Sequence, residues 1–252
     1  MDLSSRLGTQ ILWPARARVT LFVAAVTLGL GTASIAWGGL RGSGKFVDES
    51  RAVEPFHAVE VSRGIQLQLA VGPQKALELH GEDNILPLVE TEVRAGTLHV
   101  RFSSKASSIS DSGVTVKVTA PQLDRIEASG GAGASGEVGP AETLRAEASG
   151  GAELHLSGLS MKSVSLEASG GATLELAGRA DEVELEVSGG ARYPLQKLAA
   201  QKVRIDGSGG CDGAVSASDS VRGSVSGGTS LKIVGGAKAH VSSSGGSSVD
   251  VE

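Results

Sequence analysis

Carboxylates recur along the second half of the chain at Glu127, Glu147, Glu167, Glu186 and Asp206, with arginines two residues ahead of several of them at Arg125, Arg145 and Arg204, and Arg222 at the same place in the next unit. Residues two apart share one face of a strand. Where such strands lie side by side, like charges meet like charges and repel unless something answers them. In two units the arginine position reads Ser165 and Glu184 instead, which leaves Glu167, Glu184 and Glu186 short of positive charge, with Glu175 and Glu182 nearby in sequence. Such a stripe could hold a cation or dock a basic partner. The competing reading is a solvated face of surface ion pairs, each contributing little, and the pattern favours it.

Other reactive residue types are scattered or repeated in ways that argue against catalysis. Seven serines, Ser129, Ser149, Ser169, Ser188, Ser208, Ser226 and Ser244, each open a Ser-Gly-Gly triplet. A nucleophile needs its own base and oxyanion site, and a sevenfold repeat reads instead as a corner ladder, bonded to backbone groups or serine to serine. His57, His80, His155 and His240 fall in different elements without metal-ligand spacing, so each is expected at the surface. Gly131 to Gly136 spells G-x-G-x-x-G, but Glu137-Val138-Gly139-Pro140 comes next, where a dinucleotide site needs a helix. Calcium-binding coils repeat every nine residues with an Asp beside the glycines, and here only Cys211-Asp212-Gly213 comes close. Cys211 is the single cysteine and reads as a small buried residue rather than a reactive thiol. No catalytic residue, metal ligand or cofactor-binding residue is assigned, and no cofactor is expected.

The triplets are spaced by 20, 20, 19, 20, 18 and 18 residues, the mark of one structural unit stacked on itself. Aligned on the serine, apolar residues stand five before it (Leu144, Val164, Val183, Val203, Val221), three before it (Ile126, Ala146, Leu166, Leu185, Ile205) and one before it (Ala128, Ala148, Ala168, Val187, Val225). Alternation resumes after the glycines with Ala152, Leu154 and Leu156, and again with Ala172, Leu174 and Leu176. Period two with one apolar face is a half-buried strand. Each unit is therefore expected to be a strand, a Gly-Gly corner, a second strand and a short polar return such as Gly178-Arg179-Ala180-Asp181. Stacked one turn per unit, equivalent strands pair in parallel about 4.8 Å apart. The fold class predicted is all-β, a parallel β-helix or solenoid. Antiparallel hairpins of a propeller are the alternative, but blades repeat at roughly 40 residues with aromatic signatures, and this chain has 3% aromatics.

The recurring Ala-Ser-Gly-Gly-Ala, preceded by Glu49-Ser50-Arg51-Ala52-Val53-Glu54-Pro55-Phe56-His57-Ala58-Val59-Glu60-Val61 and by Gly81-Glu82-Asp83-Asn84-Ile85-Leu86, resembles the bacterial putative auto-transporter adhesin, head GIN domain family. The likeness runs from about residue 46 to the C-terminus. It implies a β-helical envelope domain and carries no catalytic motif.

Three segments are expected. Residues 1–40 carry Arg6, Arg16 and Arg18 ahead of an uncharged run from Val19 to Leu40, which reads either as a secretion signal with cleavage after Ala36 or as a retained membrane anchor. Both readings export the chain beyond residue 40, to the periplasm or cell surface. Residues 41–45 are a linker, and 46–252 a single β-helical domain with a leading, capping half (46–125) and regular repeats (126–252). In the leading half, strands are expected at 58–61, 65–71, 76–80, 97–102 and 114–119, with 84–93 a short helix or strand broken by Pro87. No hydrophobic tail precedes Glu252, so export through a translocator barrel of its own is not expected. A net charge of -5 gives no reason to expect a nucleic-acid partner.

The function read from the sequence is a non-enzymatic envelope domain for binding, adhesion or scaffolding, with envelope polysaccharide or a surface protein as partner and the membrane met only through residues 19–40. The alternatives are a carbohydrate-active β-helix enzyme, a lyase or hydrolase, or a periplasmic envelope regulator. Such enzymes gather acids and bases in one groove, whereas here the carboxylates form a monotonous column. Trp13 and Trp37 lie in the export segment, and Tyr193 is the only tyrosine, so an aromatic platform for sugars is missing.

Overall fold

The computed structural model describes residues 41–106 and 113–252. The expected signal or anchor at residues 19–40 lies outside them. Within residues 41–252 the secondary structure is almost wholly strand: β1 (Phe46–Arg51), β2 (Ala58–Ser62), β3 (Gln66–Val71), β4 (Leu77–Glu82), β5 (Val89–Arg94), β6 (Thr97–Phe102), β7 (Thr115–Ala120), β8 (Arg125–Ser129), β9 (Gly133–Glu137), β10 (Thr143–Ser149), β11 (Glu153–Ala168), β12 (Thr173–Val187), β13 (Arg192–Gly207), β14 (Asp212–Val225), β15 (Ser230–Val234), β16 (Lys238–Ser243) and β17 (Ser248–Val251). Pro87 sits in a 3-10 turn, Leu86–Leu88, directly ahead of β5.

The repeats stack as coils in parallel register. Ser129 pairs with Ser149, Leu144 with Val164, Leu166 with Leu185 and Leu185 with Ile205. Units of 20, 19 and 18 residues stay aligned because bulges absorb the difference: the register shifts between Leu156 and Leu159 where β11 meets β12, and between Leu195 and Ala199 where β13 meets β14.

The polar return expected at Gly178 to Asp181 is not a loop. It is a third side of the coil, continuous with its neighbours inside the single strand Thr173–Val187. Leu159, Gly178 and Leu198 stack in one column and Met161, Ala180 and Ala200 in another. In β11 the buried residues run Leu154 and Leu156, then Leu159 and Met161, then Val164, Leu166 and Ala168. Two breaks in the alternation, plus the glycine corner, bend the coil three times. Small polar residues hid this side in the sequence, since Ala180 shows little of the apolar signal that Met161 gives.

At the corner the first glycine of each triplet is left-handed, from φ 60° at Gly130 to φ 95° at Gly209. The second glycine donates its N–H to the first glycine of the coil before: Gly171 to the Gly150 carbonyl at 2.6 Å, Gly190 to Gly170 at 2.7 Å and Gly210 to Gly189 at 2.6 Å. The ladder is built from backbone. Among the described residues only Ser226, of the seven triplet serines, bonds backbone through its hydroxyl, to the Gly207 carbonyl at 3.4 Å; the expected ladder of serine side chains does not form.

The core is aliphatic, and each fully buried Leu or Val in it is worth about 1.5–3 kcal/mol. Within the Ser-Gly-Gly repeats its one aromatic exception is Tyr193, wholly buried and register partner of Gly213. A Cβ on Gly213 would lie 2.4 Å from the tyrosine ring, so that glycine makes room for it. The phenol donates to the Ser230 carbonyl at 3.1 Å.

The first layers are out of chain order. β2 lies between β6 and β8, and β3 between β7 and β9, all parallel. Beyond β6 and β7 the pairing turns antiparallel, with β5 on β6, β4 on β7 and β1 on β4. Phe56, Leu77, Leu79, Leu86 and Phe102 are buried there.

Candidate functional site

The carboxylates form one continuous column. Glu60, Glu127, Glu147, Glu167, Glu186 and Asp206 are register partners in successive strands, and Ser224 comes next, its hydroxyl donating to Asp206 at 2.8 Å. The alternation of each strand turns these side chains outward, while their neighbours Ala128, Ala148, Ala168 and Val187 are buried. Between this column and the triplet serines runs a narrow cleft of about 90 Å³, lined by Glu60, Glu127, Glu147, Glu167, Ser129, Ser149 and Ser169. It continues past Glu167 as a second depression of about 190 Å³ along Glu186, Asp206, Ser188 and Ser208.

Most of the acids are answered. Arg125 pairs with Glu127 and Arg145 with Glu147, and Arg145 also reaches Glu167 at 3.4 Å. Held against Glu147, the Arg145 guanidinium keeps its proton even more firmly than usual. Glu184 has Arg204 at 3.9 Å, and Arg204 also lies 3.7 Å from Asp206. The shortage of positive charge expected around Glu167 and Glu184 is thus partly filled. Of that group only Glu186 has no ion-pair partner among the described residues.

Much of the compensation comes from lysines one coil away, which strand-by-strand reading passes over. Lys202 binds Glu182 at 3.0 Å, Lys162 binds Glu142 at 2.6 Å and Lys197 binds Glu175 at 2.7 Å. The Lys197 ammonium, helped by His155 at 3.3 Å, holds the Glu175 carboxyl below the usual carboxylate range. The separations of 20, 20 and 22 residues match the repeat, and that match is the signal by which these pairs could have been found.

Histidines sit at the surface beside carboxylates: His57 on Asp124 at 3.0 Å, His80 on Asp48 at 2.8 Å and His155 on Glu175. His240 is likewise exposed, on β16. His99, not singled out from the sequence, pairs with Glu60 at 2.8 Å and occupies the next register position beyond it in the acidic column. Nothing local in the sequence points to it, because β6 reaches β2 only through the out-of-order layering.

Cys211 is buried, and its thiol donates to the Ser208 carbonyl at 3.2 Å. Burial pushes that thiol up. Thr229 holds the equivalent corner position one coil later and donates to the Ser226 carbonyl at 2.9 Å. The G-x-G-x-x-G match lies largely in strand β9 (Gly133–Glu137), where a Cβ on Gly136 would meet the Leu69 carbonyl oxygen at 2.1 Å; its glycine serves coil packing.

No triplet serine hydroxyl is hydrogen-bonded to a histidine among the described residues, and no group of three His, Cys, Asp or Glu there has metal-binding geometry. Two further depressions, of about 520 and 560 Å³, are open and of mixed charge, lined among others by Glu182, Lys202, Arg204, Asp219 and Arg222 in one and by Arg192, Asp212, Lys232 and Asp250 in the other. The arrangement offers repeated, outward-facing contacts along a rigid stack.

A glycine-cornered β-solenoid presenting in-register polar columns is the class of protein that the fold and this surface define. The chain belongs to the family described as "Putative auto-transporter adhesin, head GIN domain", whose model matches residues 55–237. Among solved structures it is similar to a putative adhesin from Bacteroides fragilis, with 20% identity, TM-score 0.74, and coverage of 84% of this chain and 99% of that one. A putative lipid binding protein from Parabacteroides distasonis (14% identity, TM-score 0.66, coverage 84% and 98%) and a putative adhesin from Parabacteroides merdae (18%, 0.63, 85% and 99%) are also similar. At these identities the likeness concerns the fold. No match is found among curated proteins.

Proposed function

We propose that this chain is an exported, non-enzymatic cell-envelope domain that binds envelope polysaccharide along its acidic column, with residues 19–40 directing or anchoring it. The observation that carries this reading is the in-register run from Glu60 to Asp206 beside a cleft edged by serines. Carboxylates and hydroxyls repeating at about 4.8 Å suit a polymer that presents hydroxyl donors and acceptors at a comparable rise, and many weak contacts add up along such a track. Catalysis would require an acid and a base converging on one bond, which a uniform column does not supply. Family membership and the names given to its structural neighbours, adhesins and a lipid-binding protein, point toward binding as well.

The test is capture of isolated envelope polysaccharide by the wild-type chain and by Glu167→Ala/Glu186→Ala. Reduced capture by the variant supports the column; equal capture removes the column from the mechanism, and no capture by either removes the function. Fractionation of tagged cells would show whether residues 19–40 stay with the mature chain.

A further inference from the structure

Among the described residues no strand covers the end of the stack formed by β16 and β17. Among the described residues β16 pairs only with β14 and β17 only with β15, so each presents there one row of unpaired backbone groups, the usual template for adding another strand. Apolar side chains end there without cover: Ala239, Val241 and Val249 are only partly buried against the core, and Val251 is 51% exposed. The charges on this edge divide by strand. β16 carries Lys238 and His240, and β17 carries Asp250 with Glu252 just after it. Lys238, His240 and Asp250 have no ion-pair partner among the described residues, while Glu252 reaches Lys232 at 2.6 Å.

We propose that two copies of this chain join end to end through these edges, β16 of each adding antiparallel to β17 of the other. β16 runs toward the Ser244-Gly245-Gly246 corner and β17 runs away from it. A two-fold axis bisecting the corner therefore exchanges the two strands and opposes their directions, giving the self-complementary contact of a closed dimer.

Register is set by keeping inward residues opposite inward ones. Val241 then faces the partner's Val249, Ala239 faces the partner's Val251, Lys238 faces the partner's Glu252 and His240 faces the partner's Asp250. A slip of two residues either way preserves the alternation but leaves two of the four without a partner, one set against serine and the other against no strand residue. The chosen register alone pairs all four charged residues, twice over by symmetry, and continues the aliphatic interior across the joint.

The experiment uses full-length chains carrying Cys211→Ser, each with one new cysteine and a distinct tag. Oxidising a mixture of the His240→Cys and Asp250→Cys chains is expected to give the mixed disulfide, with neither homodisulfide above background, because the symmetry sets like positions on different faces. Sedimentation of the full chain in detergent is expected to show a dimer that Lys238→Glu/His240→Glu converts to monomer and that adding Asp250→Lys/Glu252→Lys restores, with circular dichroism unchanged throughout. A mixed disulfide no more abundant than the homodisulfides overturns the proposal, and so does a wild-type chain that sediments as a monomer or a charge-reversed chain that sediments like wild type.

Discussion

Gly209→Ala tests the close approach of successive corners. Gly209 has φ 95°, and a Cβ there would stand 2.5 Å from the Gly189 carbonyl oxygen and 3.0 Å from its nitrogen. Placing a side chain in left-handed backbone costs roughly 1–2 kcal/mol. The clash is with backbone, so the coils must part locally, lengthening the 2.6 Å bond from the Gly210 N–H to the Gly189 carbonyl and forfeiting about 0.5–1.5 kcal/mol. The sum is about 1.5–3.5 kcal/mol. Gly210→Ala is the internal control: its Cβ would meet the same oxygen at 3.8 Å, an ordinary contact, and its cost should stay within about 1 kcal/mol. Urea denaturation followed by far-ultraviolet circular dichroism reads both. With a slope of about 2 kcal/mol per molar, Gly209→Ala should lower the midpoint by roughly 1 M and Gly210→Ala by much less. Equal shifts would refute the argument that the first glycine is required by stacking rather than by the turn in general.

Tyr193→Phe should cost about 1 kcal/mol, the net value of the bond to the Ser230 carbonyl, measured by the same denaturation. Burial raises the Tyr193 phenol above its ordinary range, so the unfolded chain loses this proton first. The contribution is whole below about pH 10 and declines as pH rises from there toward the folded value; the variant should lose that alkaline decline. Cys211→Thr should be nearly neutral, since Thr229 fills the equivalent corner with the equivalent bond, and the native thiol should react with a thiol reagent only as the chain unfolds.

The regular coils were legible because three signals coincided: the serine spacing, the period-two apolar pattern and the glycine pair. Ile126, Ala146, Leu166, Leu185 and Ile205 occupy one inward column as their spacing implied. The third side is not legible because Gly178 and Ala180 carry almost no apolar signal, and the burial of Ala180 depends on Met161 and Ala200 in the coils on either side. The acidic column was readable down to Glu127, but its extension through Glu60 to His99 was not. That extension depends on which layer lies on which, and local pattern holds no information about layer order. The pairs made by Lys197 and Lys202 are hidden for a related reason: their partners lie not in the same strand but about one repeat away, where the stack brings them within reach.

The placing of β2 and β3 between β6 with β7 and β8 with β9 makes the two ends of the domain unequal under truncation. A unit cut from between Ser149 and Ser208 leaves flanks that still match, so the stack shortens by one step and closes. Deleting the chain ahead of β5 would instead pull an inner layer from beneath strands already resting on it, leaving β8 and β9 with no partner below. Loss or gain of whole units is therefore confined to the Ser-Gly-Gly region, and the leading segment must be kept or lost as a block.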